Sequence, residues 1–307
     1  TMYRDLHTDL IRRFGEKTYK LALSGGMSCP NRDGTIGWGG CIFCSAGGSG
    51  EFAAEATLPI PEQLARAKEK IGGKYKGHSY IAYFQSYTNT YGEIGYLRRI
   101  FTEALSDPEV RALSIATRPD CVGPEVLELL QELNRVKPVW VELGLQSAKE
   151  ETARFIRRGY PLKCFEDCVK ALHERHIEVI VHVILGLPGE SREDMFRTID
   201  CVNRARAEGI KLQLLHVLQG TPLERLYREG SFRVLSLEDY VEILGDCVER
   251  LDPSIVIHRL TGDGPKRLLV APLWSGDKKR VRGRIQQEFA RRDICQGRLF
   301  RGREGTE

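Results

Sequence analysis

At 307 residues, with 41% hydrophobic and 29% charged side chains, the chain is long enough to bury a large α/β core and has an ordinary soluble composition. It has no run of 18 apolar residues, and its start, Thr1-Met2-Tyr3-Arg4-Asp5, lacks the basic region and apolar block of an export signal, so a cytoplasmic protein with no membrane association is expected. The net charge of +4 is unevenly spread: residues 259–307 carry 13 Lys and Arg against 6 Asp and Glu, and such a basic end on a slightly acidic body suits either a polyanionic partner or a solvated surface helix.

In chain order, residues 1–18 form an N-terminal extension and 19–252 the main domain. A short strand at 19–23 leads into a polar, glycine-rich loop over 24–50, and a loop this long inside a compact domain usually has a task. A helix follows over 62–71, ended by Gly72-Gly73, then a strand at 78–84, a helix at 93–105 and a strand at 110–117. Pro124 opens a helix in which Val126, Leu127, Leu130 and Leu133 make an apolar stripe. Strands at 138–143, 177–185 and 210–218 alternate with helices at 162–174, 192–207 and 237–250. Six apolar strands separated by helices imply right-handed crossovers and a parallel sheet, either a barrel three-quarters closed or a doubly wound sheet. In both arrangements the working residues belong at the C-terminal ends of the strands. There the chain carries polar segments such as Gln85-Ser-Tyr-Thr-Asn89, Thr117-Arg-Pro-Asp120 and Gly144-Leu-Gln-Ser147, which favours one ring-shaped site. Residues 253–307 read as a basic α/β extension completing or flanking the barrel, with a helix-like run from 278 to 292 and a last dozen residues that have little to pack against.

Nine cysteines are too sparse for a disulfide-built fold, so in a reducing compartment each is a buried small hydrophobe or a ligand. Cys29, Cys41 and Cys44 fall within sixteen residues, and no histidine occurs between His7 and His78. Structural zinc wants four ligands, so a zinc loop would need a distant fourth, whereas a [4Fe-4S] cluster can use three thiolates and keep one iron open. Glycines at 34, 37, 39, 40, 47 and 48 let the backbone wrap an inorganic core.

The string Cys29-Pro-Asn-Arg-Asp-Gly-Thr35, continued by Gly39-Gly-Cys-Ile-Phe-Cys44, resembles the cluster loop of the radical S-adenosylmethionine (SAM) superfamily, although the first gap is eleven residues where three are usual. It is similar to a bacterial subgroup related to the Elongator catalytic subunit and to oxygen-independent coproporphyrinogen oxidase, the MnmL-type enzymes that modify tRNA wobble uridine. The resemblance runs from about residue 19 to residue 223 and includes a comparable basic C-terminus. It implies a partial (β/α)6 TIM-like barrel with a [4Fe-4S] cluster on Cys29, Cys41 and Cys44, and SAM chelated to the open iron. It implies also a one-electron reductant such as flavodoxin or ferredoxin.

The same resemblance suggests the rest of the site. Phe43 matches the aromatic position beside the adenine, with a role as loop anchor as its alternative. Gln85 and Asn89 stand where an acidic motif commonly binds the methionyl amine, and Tyr87 and Tyr91 are placed at the substrate opening. Glu142, buried in an apolar strand, would bind the cofactor's amine or ribose with Gln146 and Ser147 on the rim, or else pair with an arginine. Arg158, with Arg157 as fallback, is expected on the methionyl carboxylate; Ile184 offers apolar contact to the adenine, and Gly186 close backbone approach. Glu190 is expected to cap the next helix. His182 and His216 are expected to face one interior, as proton carriers or as core residues. The remaining six cysteines are expected outside the cluster, with Cys164 and Cys168 packing on one helix face.

The subgroup's reaction implies conversion of a 5-carboxymethylaminomethyl wobble uridine toward 5-aminomethyl, with tRNA as partner. Two alternatives stand beside it: a radical SAM enzyme on a small or tetrapyrrole-like substrate, and a non-enzymatic iron-sulfur or electron-transfer protein.

Overall fold

The computed structural model describes residues 2–45, 58–262 and 264–302. Helix α1 (Leu6–Phe14) is capped by Asp5, whose carboxylate accepts from the Thr8 amide, and precedes β1 (Tyr19–Leu23). Helix α2 (Ile60–Ile71), β2 (Tyr80–Phe84), α3 (Ile94–Ser106), β3 (Val110–Thr117), α4 (Pro124–Asn134) and β4 (Val139–Gln146) follow in strict alternation. Two helices, α5 (Glu150–Phe155) and α6 (Leu162–Glu174), lead to β5 (Glu178–Leu185), and α7 (Arg192–Ala205) leads to β6 (Gly209–Leu214). The chain ends with β7 (Val217–Leu218), α8 (Pro222–Arg228), α9 (Leu237–Arg250), β8 (Val256–Arg259), β9 (Leu269–Ala271) and α10 (Lys278–Arg291).

Among the described residues the main sheet is all parallel, in the order β1-β2-β3-β4-β5-β6-β8, and it curls into a half-barrel. Helical crossovers cover the outer face, where residues such as Leu21, Leu113, Val141 and Val181 join one core with the helices. Two expectations change here. The sheet has a seventh strand, taken from residues 256–259, where six were expected, so of the two roles open to the chain after 253 it takes that of completing the half-barrel. The expected strand 210–218 breaks at Leu214, and its end forms β7, which pairs antiparallel with β9 in a separate ribbon.

Register sorts the inward residues into layers. At the bottom, Ile81, Ala112, Trp140 and Ile180 meet Leu10, with Leu6 and Phe14, so α1 plugs the N-terminal opening with an apolar seal. Two residues further along the strands the inward positions turn polar: Tyr83, Ser114, Glu142 and His182, with Lys20 on β1, and Lys211 and Arg259 side by side on β6 and β8. Such a layer is reached because side chains along a strand alternate between faces.

The C-terminal end also packs. The Gln296 side chain, 7% exposed, donates to the carbonyls of Asp252 and Ile255 at 2.9 and 2.8 Å and accepts from the Arg4 amide at 2.8 Å. The Leu299 amide donates to Glu249. The expected fraying therefore does not extend to residues 296–300; residues 303–307 lie outside the described residues. Gln296→Leu removes partners from three backbone groups that join both ends of the chain. Urea unfolding is expected to show a loss of about 2–3 kcal/mol, and an unchanged midpoint would count against this tie.

Candidate active site

Beyond the C-terminal end of β1 the chain enters the cysteine loop. The Cys29 carbonyl accepts from the amides of Arg32 and Asp33 at 2.9 and 3.1 Å, which starts a tight turn. Asp33 and Trp38 then form an antiparallel bridge, and the Gly40 amide returns to the Asn31 carbonyl at 2.9 Å. The eleven-residue gap thus folds back on itself, bringing Cys41 beside Cys29. Gly40 is needed at the return: its φ is 81°, and a Cβ there would sit 2.9 Å from Arg32 Nε. Residues 46–50 of the loop, with Gly47 and Gly48, lie outside the described residues.

Cys29, Cys41 and Cys44 line one cavity. Burial pushes the Cys41 thiol up to about 12, and its neighbours Cys44 and Cys29 add to the effect. Among the described residues no three His, Cys, Asp or Glu side chains are set to grip a single metal ion. Two side chains from the fold-back brace the sulfurs. Arg32 Nη2 donates to Cys44 Sγ at 3.0 Å and to the carbonyls of Cys44 and Ser45, while its guanidinium lies 5.4 Å from the Tyr87 ring centroid. Asn31 Nδ2 donates to the Arg157 carbonyl at 2.5 Å and stands 3.7 Å from Cys41 Sγ. Burial works to lower the Arg32 guanidinium, but the Cys44 sulfur outweighs it and the net direction is upward.

Below the thiols lies the polar layer. Glu142, fully buried, receives Lys211 Nζ at 2.6 Å and His182 Nε2 at 2.7 Å on one oxygen, and the Ser114 hydroxyl at 2.6 Å and Lys20 Nζ at 3.3 Å on the other. Burial alone would raise this carboxyl, but Lys20, Lys211 and His182 together hold it well below the ordinary range. The Tyr83 ring sits beneath both lysines, 4.7 Å from Lys20 Nζ and 4.6 Å from Lys211 Nζ.

The Radical SAM superfamily model matches residues 33–202, and the Radical_SAM C-terminal domain model matches residues 207–291. The chain belongs to the radical SAM superfamily. It is 43% identical over 298 residues to YtqA of Bacillus subtilis (strain 168), covering 97% of this chain and 92% of that one. It is 27% identical over 199 residues to the tRNA uridine(34) acetyltransferase of Methanocaldococcus infernus, matching 63% of this chain and 35% of the relative. The structure of an archaeal Elp3 from Methanocaldococcus infernus, with its N-terminus deleted, superposes with a TM-score of 0.69 at 18% identity, covering 91% of this chain and 64% of that one, a likeness of fold.

As a radical SAM enzyme the chain is expected to use a [4Fe-4S] cluster and SAM, and its residues fit both. The three thiols share the cavity with Phe43, Gln85, Gln146 and Ile184. Gln146 stands at a bulge at the end of β4 with φ 65°, and its buried Oε1 has no partner within the protein, an acceptor left for a ligand's donor. Tyr87 also borders the cavity, whereas Tyr91 braces the cysteine loop by donating to Asp33 at 2.6 Å.

The other expected residues are held by protein partners, and of these Glu142 and Arg158 also line the thiol cavity. Both oxygens of Glu142 are taken by the lumen network, whose cations are lysines. Arg158, 2% exposed, spends its guanidinium on the carbonyls of Leu145, Ser147 and Tyr160, and Arg157 points outward as an exposed residue. Asn89 is buried and pins the Ala116 carbonyl at 2.9 Å. Ser147 donates to Glu190 at 2.6 Å, outside the cavity lining. Gly186, with φ 87°, makes room for Leu235. Glu190 caps nothing: Ser191 caps α7 in a capping box with Asp194. His216 lies beyond β6 against Gly262 and Gly264, apart from His182. Arg118 went unassigned, although Thr117-Arg-Pro-Asp120 was visible as a strand-end segment. It lines the cavity, held by Asp120 through two 2.9 Å bonds, and that carboxylate raises its guanidinium against the effect of burial.

Cys121, Cys164, Cys168, Cys201, Cys247 and Cys295 are absent from the cavity lining, and Cys168 and Cys201 join the main core. Anaerobic iron and sulfide analysis should therefore show cluster loss in Cys29→Ala, Cys41→Ala and Cys44→Ala, and full occupancy in Cys164→Ala. A stable four-iron cluster in all three loop variants would reject the assignment.

The lumen network predicts a pH dependence. Burial, opposed by the Glu142 hydrogen bond, lowers the His182 imidazole from 6.5 to about 4. Above 6.5 both folded and unfolded forms are neutral there; as pH falls toward 4 the unfolded chain takes the proton first, so stability is lost on acidification. The loss by pH 4.5 is about 2–3 kcal/mol. Urea unfolding of His182→Gln at pH 7 and pH 4.5 should show a pH penalty smaller by that amount, and an equal penalty in both proteins would contradict it.

Proposed function

We propose that this radical SAM enzyme converts a 5-carboxymethylaminomethyl wobble uridine in tRNA to 5-aminomethyl, with SAM as the two-electron oxidant and water as co-reactant, so that the carboxymethyl fragment would leave as glyoxylate. When bound, the cluster and SAM supply a 5′-deoxyadenosyl radical by one-electron reductive cleavage, the electron coming from a small donor such as flavodoxin or ferredoxin. In this reading Cys29, Cys41 and Cys44 hold the cluster, braced by Arg32 and Asn31. Phe43 and Ile184 offer apolar contact to the adenine, while Gln146 and Gln85 supply polar contacts. The lumen below the thiols receives the flipped base.

The observation that carries the choice of RNA is the position of Arg259. It borders the thiol cavity and also a second cavity at the β8 edge, which Asp5, His7, Lys278 and Arg282 line too, so the lumen wall and the basic start of α10 share a cation. Trp38, 76% exposed on the cysteine loop, offers a stacking surface beside the mouth. The tRNA-acting relative supports the same direction. An apolar cavity without a basic approach would favour the alternative of a small tetrapyrrole-like substrate. Arg284, also on α10, is set apart from this basic face by its pair with Glu238 at 2.5 Å.

Cells lacking the gene should accumulate the carboxymethylaminomethyl form and lose the aminomethyl form in nucleoside analysis of tRNA; unchanged wobble uridines would sink the reading. Neutralising Lys278, Lys279, Arg280 and Arg282 together should weaken tRNA binding and make its log-log salt slope shallower by about three. An unchanged slope would return this face to ordinary solvated surface.

A further inference from the structure

The arginines near the cysteines spend their charge in different ways. Arg118 is held by the Asp120 carboxylate, and Arg158 by three backbone carbonyls. Arg32 instead gives its Nη2 to a sulfur, Cys44 Sγ at 3.0 Å, and among the described residues no carboxylate pairs with it. The three thiols are therefore served unequally. Cys44 receives a charged donor, Cys41 a neutral one from Asn31 Nδ2 at 3.7 Å, and Cys29 no side-chain donor among the described residues.

The guanidinium is fixed from several sides. The same Nη2 also donates to the carbonyls of Cys44 and Ser45, and the Tyr87 ring centroid lies 5.4 Å from the guanidinium carbon. Gly40 leaves room for it, since a Cβ there would come within 2.9 Å of Arg32 Nε. A clip that only closed the loop would need the two carbonyls; the bond to sulfur gives the charge an electronic role as well. An arginine stays protonated throughout the working range of an enzyme, so this charge is constant. A fixed cation in contact with a cluster thiolate favours the form that carries one more electron, because net charge and hydrogen bonds to sulfur are among the terms that set the potential of an iron-sulfur centre.

We propose that Arg32 tunes the cluster, raising its reduction potential through the Cys44 sulfur and so easing the one-electron reduction that starts each turnover. One electron enters from the external donor in that step; no bond to Arg32 forms or breaks, and no proton moves. Arg32 acts through Cys44, as a positioning residue. The proposal rests on a cluster held by Cys29, Cys41 and Cys44 and is independent of the tRNA reading.

The test is anaerobic redox titration of the full, cluster-loaded chain without SAM, followed through the electron paramagnetic resonance signal of the reduced cluster. Arg32→Gln should lower the constant for one-electron reduction about tenfold, which is a midpoint ~59 mV more negative. Arg32→Lys, which keeps the charge, should recover most of that shift, and iron and sulfide content establishes that each variant is loaded. An unchanged midpoint in loaded Arg32→Gln, or an equal shift in Arg32→Lys, overturns the proposal. Where Arg32→Gln takes up no cluster, the wild-type chain decides. Pulsed resonance of reduced protein grown with nitrogen-labelled arginine should show a weak nitrogen coupling that changes with the label, and its absence overturns the contact. A wild-type chain that takes up no cluster removes the cysteine assignment itself, and with it this role for Arg32.

Discussion

A carboxylate with no solvent exposure inside a half-barrel must be paired and hydrogen-bonded on every side, and Glu142 sets this constraint for the lumen. Four strands answer it: Lys20 from β1, Ser114 from β3, His182 from β5 and Lys211 from β6. Each partner is in place only if its strand keeps register, because a slip of one residue would send it to the outer face. The network is thus weak evidence for stability in itself. It is stronger evidence for specificity of the sheet, since one misregistered strand would leave a buried charge without a partner. Its low position also divides the barrel into an apolar lower half sealed by α1 and a polar upper half that opens at the thiols.

The upper half depends on a different device. Three cysteines on a flexible segment would have no reason to converge before iron is present, and burial raising the Cys41 thiol opposes forming thiolates there. The fold-back from Cys29 to Cys41 supplies the geometry in advance. Its backbone closes through the Asp33–Trp38 bridge, and the two residues after Pro30 are turned inward as N–H donors toward Cys41 and Cys44. Hydrogen bonds to sulfur favour the thiolate and are among the influences that set the potential of an iron-sulfur centre. The start of the first gap carries both bracing side chains, and its remaining residues make the return to Cys41.

Much of this was legible in the residues. Apolar runs of strand length between amphipathic helices fixed a parallel sheet, and the helices at 162–174 and 237–250 coincide with α6 and α9. The spacing of Cys29, Cys41 and Cys44 pointed to one cavity, which they line together with Phe43, Gln85, Gln146 and Ile184. What escaped is what a linear pattern does not encode. Arg158 looked like an anion ligand because an arginine after β4 is chemically suited to one; burial among three carbonyls makes it a clamp for the β4–α6 connection. Glu142 looked like a ligand because its strand is apolar, and only the register of the neighbouring strands shows that lysines lie beside it. Gly186 marked a close approach correctly, but the approaching group is Leu235. β8 was hidden by being short and by following a change in composition, two signs that ordinarily mark an appendage.

That last case has a consequence for how the ends of the molecule work together. Strand β8 pairs with β6 along one edge and receives Asp5 of the N-terminal segment in a parallel bridge on the other, while Gln296 ties Arg4 to the chain around Asp252 and Ile255. The half-barrel is therefore not left with a bare edge at β8, and the segment covering it is the one that seals the bottom of the lumen. Because Arg259 ends this strand and α10 packs against α9, the basic helix is joined rigidly to the lumen wall. A polyanion held on α10 would thus be held at a fixed offset from the polar layer. Precise placement of a reacting group inside a half-barrel requires such a fixed offset, and a flexibly tethered basic tail would not supply it.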